Sequence, residues 1–131
     1  AQDGVFDTVL AELRAGSKQN HWMWYIFPQL AGLGRSPTSR FYGIFSLDEG
    51  RSYLMNAALG PRLRECVEAL LTWANRRSAD QILGPVDAMK LKSCLTLFDV
   101  IEPDGLFAGA LGVFFAGARD ERTLALLNAP L

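Results

Sequence analysis

The chain has 131 residues, with thirteen Lys and Arg against fourteen Asp and Glu, which is the size of one domain and leaves no charge excess to draw it to nucleic acid or an anionic membrane. Half of the residues are hydrophobic and about a fifth are charged, too apolar a mixture for a disordered chain. No apolar run approaches the roughly 20 residues needed to cross a bilayer as a helix.

The predicted elements are helices. The first covers about 5–15, on Val5, Phe6, Val9, Leu10 and Leu13, with Gly16 at its end. The block 21–30, HWMWYIFPQL, mixes strand-forming residues with helical neighbours and reads as a short buried helix. After it, Gly32-Leu33-Gly34-Arg35-Ser36-Pro37 forms a loop that opens a helix, with Ser36 as cap and Pro37 in the first turn.

A helix near 47–56 starts with the reciprocal capping pair Ser46 and Glu49. The strongest helical period runs from Pro61 to about Asn75. It places Leu63, Cys66, Val67, Leu70, Leu71 and Ala74 on one stripe, and Arg62, Arg64, Glu65 and Glu68 on the wet side. Ser78 and Gln81 repeat the capping pattern before a short helical turn that ends at Gly84.

A long helix then covers about 86–101, with Leu91, Cys94, Leu95 and Phe98 on one stripe and Pro103 as its stop. Together with the 61–75 helix it is expected to form the centre of the core. Asp104 and Asp120 are read as caps of two last helices. The helix near 106–116 is apolar all round, so it is expected to be buried, with Gly109 and Gly112 admitting a neighbouring backbone. The fold class is therefore all-α, one multihelical globular domain over 1–131 with a short central buried helix.

Cys66 and Cys94 each sit among apolar residues at helical spacing and read as buried reduced thiols. One His and two dispersed Cys do not supply the three or four ligands of a zinc site, so no metal is expected. Neither a P-loop nor a dinucleotide fingerprint is present, and no cofactor is expected. With no signal-peptide pattern, the expected location is the cytoplasm. The start at Ala1 instead of Met reads as a missing N-terminal segment.

Three constellations carry chemistry. His21 is the candidate catalytic group, histidine being the side-chain type suited to proton transfer at neutral pH, while Trp22 and Trp24 could stack a planar ligand and Lys18 could meet an anion. The competing reading makes Trp22, Trp24 and Phe27 core anchors. Arg35, Ser36 and Arg40 surround a helix start that could hold a phosphate or carboxylate, although ordinary turn chemistry also explains them. Asp87, Lys90, Ser93 and Thr96 recur by threes on one helix, either as a pocket-lining polar row or with Asp87 favourably placed near the helix N-terminus and Lys90 paired to it on the surface.

The stretch from Lys18 to Leu30, with Gly32-Leu33-Gly34-Arg35-Ser36, resembles the signature of a bacterial family of uncharacterised proteins, the domain of unknown function 1810. The likeness continues through Phe41-Tyr42-Gly43-Ile44, Leu59-Gly60-Pro61-Arg62-Leu63, and Asp87 to Ser93. Its members are sometimes labelled calpastatin, which nothing in this chain supports. The resemblance implies an all-helical fold with a short central helix and implies no activity.

Two functional readings follow. One is a protein that binds a small anionic, ring-containing ligand such as a nucleotide derivative, through Lys18, His21, Trp22, Trp24, Arg35, Ser36, Arg40 and Lys90. The other is a non-catalytic module that meets a protein partner. No nucleic acid or membrane partner is expected, and no residue is marked as a nucleophile.

Overall fold

The computed structural model describes residues 2–34 and 36–128. Among these, nine α-helices follow one another: α1 (Phe6–Arg14), α2 (Met23–Ile26), α3 (Pro37–Tyr42), α4 (Leu47–Met55), α5 (Leu59–Leu71), α6 (Ala79–Leu83), α7 (Pro85–Ile101), α8 (Leu106–Phe115) and α9 (Glu121–Asn128). The all-α reading is confirmed. The chain forms one domain around one hydrophobic cluster.

Helix α7 is the axis of the packing. It runs for 17 residues and buries Ala88, Leu91, Cys94, Leu95, Leu97 and Phe98 as well as Ser93, Thr96 and Asp99, so it is enclosed on several sides instead of resting one stripe on a neighbour. Helices α4, α6, α8 and α9 pack against it. Helix α5 brings Leu63, Cys66, Val67 and Leu70 to the same cluster and lies against α1, α4 and α8.

The caps follow the sequence closely. The Ser78 hydroxyl accepts from Gln81 N while the Gln81 side chain accepts from Ser78 N, a complete capping box. Ser46 accepts from Glu49 N, but the Glu49 carboxylate reaches back one residue further, to Phe45 N at 2.9 Å. Asp120 caps α9 by accepting from Thr123 N at 2.9 Å.

Asp104 is not a cap. Its φ is +61°, and Gly105 precedes α8 without a side-chain cap bond. Helix α5 starts at Leu59, two residues before Pro61, because the Asn56 carboxamide oxygen accepts from both Ala58 N and Leu59 N. Gly109 and Gly112 admit no neighbouring backbone, since a Cβ at either would meet nothing within 4 Å. They lie on the wet face of α8, whose buried side consists of Phe107, Ala110 and Leu111.

The 21–30 block satisfies both of its conflicting signals. Helix α2 is a single turn, and the chain after it straightens until Leu30 forms an isolated parallel bridge with Ile44. Ala31 N donates to Ile44 O at 2.9 Å and Ile44 N donates to Gln29 O at 2.7 Å. These bonds fasten the segment after α2 to the segment after α3. The far end of α1 is closed by Trp73, whose indole donates to Leu13 O at 2.9 Å. Gly16 turns there with φ +70°, where a Cβ would fall 2.7 Å from the Trp73 ring.

Candidate functional site

Trp22 and Phe27 are in the core, 2% and 0% exposed, with ring centroids 6.1 Å apart. Trp24 is only half-buried and His21 is exposed. The aromatic block is thus divided between core and surface, and its surface part borders a hollow of about 110 Å³ lined by Lys18, His21, Trp22, Trp24, Asp87 and Lys90, with Met23, Tyr25 and Thr38.

Asp87 lies between the two lysines. The Lys18 ammonium is 2.8 Å from one of its oxygens and the Lys90 ammonium 3.4 Å from the other. Lys18 is also stacked over the Trp22 ring at 5.1 Å, and Lys90 faces the Trp24 ring at 6.0 Å. The Lys18 side chain is only 8% exposed, so its charge is nearly withdrawn from water and depends on Asp87 for compensation. Lys90, at 32%, keeps a face to solvent.

The sequence reading assigned Lys18, His21, Trp22, Trp24 and Lys90 to a ligand, and the fold brings these five side chains to one hollow. Ser36 and Arg40 do not line it. The Ser36 hydroxyl is occupied by Ser39 N at 3.0 Å, and Arg40 sits in the last turn of α3, a helix too short to build an anion site at its start. Arg35 lies outside the described residues.

The polar row on α7 divides in the same way. Asp87 and Lys90 reach the hollow, whereas the Ser93 and Thr96 hydroxyls donate back to Met89 O at 3.2 Å and Lys92 O at 2.8 Å. Thr96 also accepts from Asp120 N at 2.8 Å, tying α7 to the start of α9.

Glu12 is the residue that sequence reasoning missed. From α1 it accepts Gln19 N at 2.6 Å, Asn20 N at 3.0 Å, the Asn20 side-chain amide at 2.6 Å and the Trp22 indole at 3.0 Å. Burial pushes its pKa up, but these hydrogen bonds outweigh it and hold the carboxyl at about 2. A signal was present: Glu12 stands three residues after Val9 and beside Leu13, on the apolar stripe of α1, where an acid needs partners.

On the other side of Trp24 and Tyr25 is a larger hollow, about 280 Å³, which Tyr42, Tyr53, Arg62 and Gln2 also line. Tyr25 and Tyr42 form a tilted pair with centroids 5.3 Å apart. Burial raises the pKa of Tyr25, with smaller contributions from Tyr42 and Glu12.

Both thiols are free and buried. Burial pushes Cys66 up to about 12 and Cys94 well above its ordinary value, so neither carries the thiolate that a nucleophile requires. Among the described residues no group of three or more His, Cys, Asp and Glu could hold a metal ion. No helix there is long and apolar enough to cross a membrane.

Residues 1–127 match the family described as Protein of unknown function (DUF1810). A crystal structure of the conserved hypothetical protein Rv1873 from Mycobacterium tuberculosis is similar to the chain at 45% identity, covering 98% of this chain and 92% of that one, with a TM-score of 0.93. No curated protein matches.

Proposed function

This chain belongs to the DUF1810 family of proteins of unknown function, and we propose that it binds a small anionic ligand carrying a ring. The observation that carries this reading is the meeting of Lys18, His21, Trp22, Trp24 and Lys90 at one solvent-reaching hollow. Lys90 supplies the cation for the anionic group, and the half-buried face of Trp24 supplies the surface for the ring. Lys18, bound to Asp87 at 2.8 Å, supports the floor.

A volume of about 110 Å³ is the share of only a few water molecules in the liquid, at about 30 Å³ each. The anionic head enters, and the rest of a nucleotide-sized ligand lies along the outer face of Trp24. No residue of the hollow is assigned as a nucleophile. The cytoplasm is the compartment that suits two free thiols.

The test is a thermal-shift panel with inorganic phosphate, a nucleoside, a nucleoside monophosphate and an aromatic carboxylate. A ring-bearing anion at 100 times its Kd adds about 2.7 kcal/mol of stability. That gain must vanish in Lys90→Met and in Trp24→Ala. A panel without any shift, or a shift that both variants retain, overturns the reading.

The second reading, a module that docks a protein partner without chemistry, is favoured by the exposure of Phe41 and Phe45, 79% and 71%. A silent ligand panel leaves it ahead.

A further inference from the structure

We propose that the hollow beyond Trp24 and Tyr25 is a second binding site, independent of the anion reading, and that its ligand is a neutral planar ring bearing a carboxamide or lactam edge. The walls suit a ring. Trp24, Tyr25, Tyr42 and Tyr53 surround a space of about 280 Å³, and aromatic walls meet a flat ring in offset or tilted contact.

The polar group that selects the ligand is Gln2. Its side chain is buried, the residue 5% exposed. Its amide nitrogen donates to Tyr25 O at 2.7 Å and to the Tyr53 hydroxyl at 3.0 Å. A carbonyl oxygen can only accept, so Tyr25 O decides which end of the carboxamide faces it and the reversed orientation is excluded. The amide oxygen is left buried without a hydrogen-bond partner, and an acceptor in that state is rare in a folded protein unless something else supplies a donor.

Tyr53 supplies the complementary group. Its oxygen takes the Gln2 N–H, which leaves its own O–H to donate. Its ring is held against Phe98 with centroids 5.8 Å apart, and burial, the largest influence on it, raises its pKa so that the proton stays in place. Gln2 thus keeps a buried acceptor without a partner, Tyr53 keeps an O–H to donate, and both residues line the hollow. A ligand edge with an N–H next to a C=O, as in a lactam, an imide or a primary carboxamide, satisfies both.

Among the described residues that line this hollow the two charged ones are paired with each other, Arg62 with Asp3 at 2.9 Å, and the Arg62 guanidinium also lies over Phe6 at 5.2 Å. That separates this hollow from the one at Lys90.

The experiment follows the Trp24 indole and Gln2 carboxamide signals in two-dimensional amide NMR spectra of the full chain during titration with nicotinamide, uracil and pyridine. Nicotinamide and uracil should move both signals at millimolar concentration. Pyridine, which lacks the amide edge, should bind about tenfold more weakly, the ratio expected for a lost buried hydrogen bond.

Tyr53→Phe should bring nicotinamide down to the pyridine level, and Gln2→Leu should do the same. If Gln2→Leu unfolds for want of its two anchoring bonds, Tyr53→Phe carries the test alone. Equal binding of pyridine and nicotinamide, unmoved signals, or an unchanged affinity in Tyr53→Phe overturns the proposal.

Discussion

The carboxylate of Glu12 accepts the indole N–H of Trp22 at 3.0 Å across ten residues of chain. The same carboxylate takes the backbone N–H groups of Gln19 and Asn20, so one acid on α1 shapes the whole approach to α2. The loop between them is also held by Lys18 N donating to Ile82 O at 2.8 Å and by the Lys18–Asp87 pair, and the acid fixes its second half, Gln19 to Trp22.

The first prediction concerns acid. The Glu12 carboxyl is held at about 2 against an ordinary value of 4.5, so its folded pKa is depressed. Its contribution is complete above pH 4.5 and is lost as the pH falls toward 2; that shift corresponds to roughly 3 kcal/mol. Glu12→Gln should lower stability at neutral pH by about 2 kcal/mol and flatten the acid limb of a urea-unfolding series. A variant with the wild-type pH profile would show that Glu12 does not organise the loop.

The second concerns Asp87, which compensates two lysines. Asp87→Asn leaves the nearly buried Lys18 ammonium without its partner and should cost about 3 kcal/mol. Lys18→Met removes the buried charge together with its hydration cost and leaves Asp87 with Lys90, so it should cost less than half as much. Denaturant midpoints decide the order. Equal losses would mean that the pair behaves as a surface contact.

The third is steric. A Cβ on Gly60 would stand 2.0 Å from Leu54 O, where the end of α4 meets the start of α5. Neither backbone can yield without parting the two helices, so Gly60→Ala should destabilise the protein by about 3 kcal/mol, against a Gly109→Ala control with open space around it. The control gains helix propensity, up to about 1 kcal/mol. Calorimetric melting temperatures that move alike in the two variants would refute the close approach.

The fourth concerns the thiols. With Cys66 pushed up to about 12 and Cys94 well above its ordinary value by burial, a thiol reagent at neutral pH should modify neither in the native state and both in urea. The rate should track global unfolding. Rapid labelling of one thiol without denaturant would place it at the surface.

Much of the helical pattern was legible because it is local. Ser78 and Gln81 are three residues apart, as are Ser46 and Glu49, and each pair announces its helix start within one turn. The misreadings arose where a helix end depends on something beyond its own stripe. Asn56, three residues before Leu59, moved the start of α5 forward, and Asp104 adopted a left-handed turn in place of a capping conformation.

The five residues of the hollow were legible by type, since Lys18, His21, Trp22 and Trp24 are near neighbours in the chain and Lys90 shares a helix turn with Asp87. What they face was not. Glu12 was hidden because an acid on an apolar stripe states that it needs partners without saying which. Gln2 was hidden because its partners, Tyr25 and Tyr53, are 23 and 51 residues away.

By itself the sequence determined the fold class, the helix order and most of the caps, because periodicity and capping act over a few residues and need no knowledge of the rest. The tertiary structure alone decided which polar side chains share a space. Pairing Lys18 with Asp87, Glu12 with Trp22 and Gln2 with Tyr53 takes the packing of α1, α2, α4 and α7, and contacts between distant segments exist only after chain entropy has been overcome by the common core.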